Sequence, residues 1–157
     1  VKINKKPVVL EELIDSVIFK FKKRYPSHDV IIDIPGDIVM IPMDAMLIEQ
    51  VIINLLENAV QHATGMKHLW LSVFVIGNNA VFEIKDDGCG VSDEAMKSMF
   101  SGAYVSKASV PDGNRNNAGI GLSVCETIIK AHGGDISASN SMNKGAVFRF
   151  TLGMEEN

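Results

Sequence analysis

Two asparagines one helical turn apart, Asn54 and Asn58, interrupt the apolar run IEQVIINLLENAVQHA at residues 48–63. Residues four apart share one face of a helix, so both amides can reach a single ligand. Asn is a mediocre helix former and a buried amide must find partners, so two of them bordering an apolar stripe need a structural or ligand-based reason. Hydrated surface amides are the plain alternative. A second group, Asp86-Asp87-Gly88-Cys89-Gly90, directly follows a strand-like run. A carboxylate at a strand end can accept a hydrogen bond from a ligand amino group, and glycines without Cβ atoms let a flat ring approach the backbone. An ordinary Asp-Gly turn would use the same residues. The third group is NAGIGLSV, where Gly119 and Gly121 open a helix after a polar segment. Free backbone N–H groups and the positive end of the helix dipole favour phosphate there. No strand precedes this motif and no Gly-Lys-Ser/Thr follows it, so it is neither a dinucleotide fingerprint nor a P-loop.

The elements that must position these residues are legible in the pattern. Leu10, Leu13, Ile14, Val17, Ile18 and Phe21 predict a helix over 9–25 that stops before Pro26. VIIDI at 30–34 and IVMIP at 38–42 are short and β-branched, and Pro35-Gly36-Asp37 suits a turn between two strands. Asp44 offers an N-cap for the helix that carries the two amides, whose core face comprises Leu47, Ile48, Val51, Ile52, Leu55, Leu56 and Ala59. Strands at 69–76 and 80–85 flank Gly77-Asn78-Asn79 as a hairpin. A short helix at 93–100 leads into a polar segment, 101–118, whose length and lack of periodicity fit a lid that orders only with ligand. A helix over 119–131 ends at His132-Gly133-Gly134, and strands near 136–138 and 147–152 finish one domain spanning 1–157. This order predicts an α+β sandwich with helices on one face of a mixed sheet.

Composition excludes several alternatives. The chain has 157 residues, 46% of them hydrophobic and 22% charged, enough apolar material for a core. A formal charge of −4 argues against nucleic acid as a partner. Lys20, Lys22, Lys23 and Arg24 cluster where a helix ends, a position that suits solvated cations. No apolar run is long enough to span a membrane and no signal-peptide order is present, so a cytosolic setting is expected. Cys89 and Cys125 are far apart, and His28, His62, His68 and His132 form no helical ligand pair, so neither a disulfide framework nor a His-held metal is indicated.

Jointly and in this order, the motifs resemble the ATP-binding catalytic domain of sensor histidine kinases within the GHKL ATPase superfamily. DAMLIEQVIINLLENAVQHA resembles the family's N box, DDGCG its G1 box, Phe100 its F box and GIGL, residues 119–122, its G2 box. NLLENAV, IIKAHGG and GAVFRFTL are most similar to the Kdp-type potassium-responsive sensor kinases. The resemblance implies a two-layer sandwich with a mixed, mostly antiparallel sheet and a long ATP lid at about 101–118. It implies ATP and Mg²⁺ as cofactors, with Asn58 as metal ligand and Asn54 supporting the phosphates. Asp86 would accept from the adenine amine, Gly88 and Gly90 would line the base pocket, and Phe100 would belong to the lid hinge. Gly119, Ile120, Gly121 and Leu122 would form the phosphate turn, with Arg115 and then Lys107 neutralising charge during transfer. The expected chemistry is transfer of the γ-phosphoryl group to a histidine on a separate dimerisation domain, with a response regulator downstream. The domain would be the cytoplasmic part of a membrane sensor and make no direct membrane contact itself.

The sequence also departs from the family pattern. Asn117 and Ala118 replace a further glycine and its neighbour, Gln61 stands where a Lys or Arg often reaches phosphate, and Ala103 replaces an aromatic, with Tyr104 beside it. These departures keep a nucleotide-sensing or docking module open as an alternative. A second alternative is hydrolysis of ATP, but relatives that hydrolyse it use a Glu where Asn54 stands. Glu57 lies about 100° around the helix from Asn58 and is a helper carboxylate at most.

Overall fold

The computed structural model describes residues 2–100, 118–142 and 144–155, with residues 118–120 described by their helical backbone only. In chain order the elements are β1 (Lys6–Val9), α1 (Leu10–Arg24), β2 (Ile31–Asp33), β3 (Met40–Met43), α2 (Ala45–His62), β4 (Leu69–Ile76), β5 (Asn79–Asp86), α3 (Asp93–Ser98), α4 (Ala118–Ala131), β6 (Ile136–Asn140) and β7 (Ala146–Gly153). The predicted lid, with Lys107, Arg115 and Asn117, lies outside the described residues.

β2, β4, β5, β7 and β6 form one five-stranded sheet in that order. Only the β2–β4 pairing is parallel; the β4–β5, β5–β7 and β7–β6 pairings are antiparallel. The expected α+β sandwich with a mixed, mostly antiparallel sheet is therefore present. β2 and β3 do not pair with each other across Pro35-Gly36-Asp37. β2 runs beside β4, and β3 pairs antiparallel with β1 as a separate two-stranded ribbon. The sequence reading missed β1, because a four-residue strand containing Pro7 carries almost no period-2 signal.

Alternation on the strands decides which face of the sheet packs. Leu69, Leu71, Val73, Phe82, Ile84, Phe148, Phe150 and Leu152 are buried and join one core with α1, α2 and α4. Phe82 and Phe150 are direct cross-strand neighbours and stack with centroids 4.6 Å apart. The opposite face mixes charged residues with Trp70, Phe74 and Val81. Glu83 and Arg149 are register partners joined by an Arg149 Nε–Glu83 Oε2 bond of 2.7 Å, and Lys85 lies 5.4 Å over the ring of its partner Trp70. On α2, Ile48, Val51, Ile52, Leu55, Leu56 and Ala59 form a continuous buried stripe. Most helical stability in a folded protein comes from packing of the apolar face, so burial of this stripe holds α2 in place.

Terminal hydrogen bonds fix the ends of these helices. The Asp44 side chain accepts from Leu47 N at 3.4 Å as the N-cap of α2. The Asp44 backbone N–H donates to His132 Nε2 at 3.0 Å, while His132 Nδ1 donates to the Ile128 carbonyl at 2.8 Å. Both nitrogens of this buried ring are committed, with the proton on Nδ1, and they tie the start of α2 to the end of α4. Gly133, at φ +78, and Gly134 close α4 through bonds to the Lys130 and Ile129 carbonyls.

Candidate functional site

Asp86 is the last residue of β5, and the inward face of that strand carries it to the end of the core, where it is only 3% exposed. Its Oδ1 accepts from Gly88 N at 2.8 Å and from Ala146 N at 3.3 Å. Among the described residues no hydrogen bond reaches Oδ2, which can accept from a ligand. Burial pushes this carboxyl above its ordinary range, and the two backbone bonds offset only part of that shift. Asp86, Asn58, His62, Gly90, Val91 and Phe148 line a narrow cleft at the end of the core.

Asn58 faces this cleft from α2. Its Oδ1 is buried and has no hydrogen-bond partner among the described residues. An orphaned carbonyl oxygen beside an open cleft suits a hard cation, and Mg²⁺ takes one or two protein oxygens and completes its shell with phosphate and water. The site therefore fits the metal that the motifs imply.

The other predicted residues divide between the cleft and its supports. Asn54 is not among the cleft-lining residues; its Nδ2 approaches Cys125 Sγ on α4 at 3.9 Å. Burial pushes the Cys125 thiol up to about 12, so it packs as an inert neutral group. Glu57 turns toward α1, where it pairs with Arg24 Nη1 at 2.5 Å; burial raises its carboxyl and Arg24 opposes the shift. Gln61 likewise points to α1, donating to the Tyr25 hydroxyl at 3.2 Å.

Of the two G1 glycines, Gly90 lines the cleft and Gly88 does not. A Cβ at Gly88 would stand 2.8 Å from Ala63 Cβ, so that glycine lets the turn dock on the end of α2, where Cys89 N also bonds the Thr64 carbonyl at 3.0 Å. Phe100 packs edge-on against Phe148 at 6.4 Å, and its carbonyl accepts from Ser123 Oγ at 3.4 Å. Leu122 is buried in the core, Gly121 has open space where a Cβ would stand, and Gly119 and Ile120 lie in the first turn of α4.

Sequence reasoning missed three residues. His62 lines the cleft one turn beyond Asn58, and burial holds its imidazole below the ordinary histidine range. The spacing that linked Asn54 to Asn58 also links Asn58 to His62, so this signal was available. Gly145, at φ +92, lies so close to Asp86 that a Cβ would collide with the Asp86 carbonyl. Asn140 bonds both backbone groups of Val91. Neither contact has a local sequence signature, because each joins segments far apart in the chain.

Comparison with known proteins agrees with this geometry. Residues 43–156 match the family described as histidine kinase-, DNA gyrase B- and HSP90-like ATPases. The chain belongs to that family, and it has the fold of the ATP-binding catalytic module of protein-histidine kinases, which bind ATP with Mg²⁺. The sensor protein KdpD of Clostridium acetobutylicum is 34% identical over 98% of this chain and 17% of its own length. The adaptive-response sensory kinase SasA of Microcystis aeruginosa is 35% identical over 91% of this chain and 37% of its own. The chain thus spans well under half of these relatives. Among solved structures, the catalytic domain of the histidine kinase ThkA superposes with a TM-score of 0.81 at 24% identity, covering 97% of this chain and 99% of that domain. ThkA in complex with the response regulator TrrA matches at 26% identity and a TM-score of 0.76, over 96% of this chain and 42% of that one.

Proposed function

We propose that this chain is a single catalytic domain that binds Mg²⁺-ATP between α2 and the Asp86–Val91 turn. It passes the γ-phosphoryl group to a histidine nitrogen on a separate dimerisation domain. The observation that supports this most is the Asp86 carboxylate, buried at a cleft with one oxygen held by backbone and the other without a partner among the described residues. A ring amine is the donor that would satisfy it, and Gly90 keeps one wall of the slot free of a side chain.

In this reading Asn58 Oδ1 ligates the metal, which supplies charge neutralisation along the triphosphate. Asn54 and the Gly119–Leu122 turn hold the phosphates, and Arg115 and Lys107 neutralise charge as the bond between the γ-phosphorus and the ADP oxygen breaks and the nitrogen–phosphorus bond forms. An amide at position 54 accepts no proton from water, and Glu57 is paired with Arg24 of α1, so hydrolysis is disfavoured. None of the four histidines of this chain sits in an acceptor motif, and His132 has both nitrogens engaged. The likeness to KdpD supports a role in potassium or osmotic signalling, on the cytoplasmic side of a membrane sensor. The ThkA–TrrA likeness supports a response regulator as the downstream partner. Among the described residues no helix is long and apolar enough to cross a membrane.

The test is to mix this chain with γ-labelled ATP and a separately supplied dimerisation domain. Acid-labile label on that domain is the expected result. Persistent absence of label despite ATP binding would overturn phosphotransfer and favour a nucleotide-sensing module.

A further inference from the structure

We propose that Asn140, at the end of the edge strand β6, is a positioning residue that sets the base end of the cleft. This rests on the reading of that cleft as a nucleotide site. Asn140 Oδ1 accepts from Val91 N at 2.8 Å and its Nδ2 donates to the Val91 carbonyl at 2.7 Å. The side-chain amide thereby pairs both backbone groups of one residue, as a neighbouring strand would. Among short side chains, an uncharged amide presents a donor and an acceptor side by side in this way. Gly90 makes the approach possible: its φ is +79, and a Cβ there would stand 2.8 Å from Asn140 Oδ1.

The same hairpin grips the other end of the turn. Ser141 N bonds the Gly145 carbonyl at 2.9 Å to close the connection, Gly145 lies against the Asp86 backbone, and Ala146 N reaches Asp86 Oδ1. The β6–β7 hairpin therefore holds Asp86 with Gly145 and Ala146, and holds Val91 with Asn140. The gap between the carboxylate and the Gly90–Val91 wall, into which a flat base must fit, is set by that double grip. Asn140 is exposed, so its contribution comes from this strap and not from core packing.

The test is calorimetry of the full 157-residue chain and its Asn140→Ala variant with Mg²⁺-ATP, Mg²⁺-GTP and Mg²⁺-tripolyphosphate, with Asp86→Asn as a control. The expected result for Asn140→Ala is a loss of about tenfold in ATP affinity and a reduced ATP-over-GTP preference, with tripolyphosphate binding unchanged. Unchanged ATP affinity would overturn the proposal. An equal loss for ATP and tripolyphosphate would also overturn it, because a purely structural defect does not single out the base. If Asp86→Asn binds ATP as well as the parent chain, the nucleotide reading itself fails. Amide exchange in the empty protein gives an independent readout. Val91 N–H should exchange faster in Asn140→Ala, and unchanged protection would show that no strap exists.

Discussion

Asp86 and Asp87 are neighbours in sequence, yet the inner and outer sides of the sheet end treat them in opposite ways. Asp87 faces outward and accepts from Lys67 N at 2.7 Å, His68 N at 2.8 Å and His68 Nδ1 at 2.7 Å. The bond from the His68 backbone is the main reason its carboxyl is held well below the usual range, with burial opposing it. Asp86 faces inward, and burial drives it the other way. The outer face also pairs Glu83 with Arg149, while the inner cleft leaves Asn58 Oδ1 without a partner among the described residues. The fold completes its own polar contacts outside and leaves them incomplete inside, and the inner incompleteness is where a ligand belongs.

The largest expected disruption of this contrast comes from Gly145→Val. A branched side chain at φ +92, pressed onto the Asp86 backbone, should cost about 3 kcal/mol or more and abolish nucleotide binding, as read by thermal unfolding and calorimetry. Asn58→Ala should weaken Mg²⁺-ATP binding by about tenfold or more while leaving the melting temperature level or slightly raised, because a buried orphan oxygen is removed.

The two aspartates should separate in melting curves taken across the acid range. Asp87 ionises more readily folded than unfolded, so its stabilisation is complete above the ordinary carboxylate range and fades as pH falls through and below it. Asp87→Asn should lower stability at neutral pH and flatten that acid slope. Asp86 has the opposite sign. Its raised carboxyl favours the fold only at low pH, and this advantage is lost as pH rises through the folded value, so Asp86→Asn should not destabilise the empty protein at neutral pH. The smallest effect belongs to the outer ion pair. Arg149→Ala, at a side chain 54% exposed, should cost between about 0 and 1 kcal/mol and leave ATP affinity unchanged.

Much of this arrangement was legible in the sequence, for reasons that are local. Asn54 and Asn58 stand out against a helical stripe, Asp86 ends an alternating strand, and Gly77 and Asn78 mark a hairpin whose observed register pairs Ile76 with Asn79. What escaped was set by contacts between distant segments. The partners of β2 and β3 depend on β4 and β1, and nothing within their own few residues encodes that choice. Gly88 reads as room for a ring, yet the body it makes room for is Ala63. Asn140 and Gly145 look like ordinary hairpin residues until the Asp86–Val91 turn is folded against them.

Calorimetry of Asp86→Asn with Mg²⁺-ATP tests the adenine site most directly. The substituted amide can still accept from Gly88 N and Ala146 N, but it turns a donor toward the adenine amine. The prediction is a loss of about 10- to 150-fold in affinity with the fold intact by thermal melting. Undiminished affinity in that variant would contradict the assignment of this cleft as the adenine site.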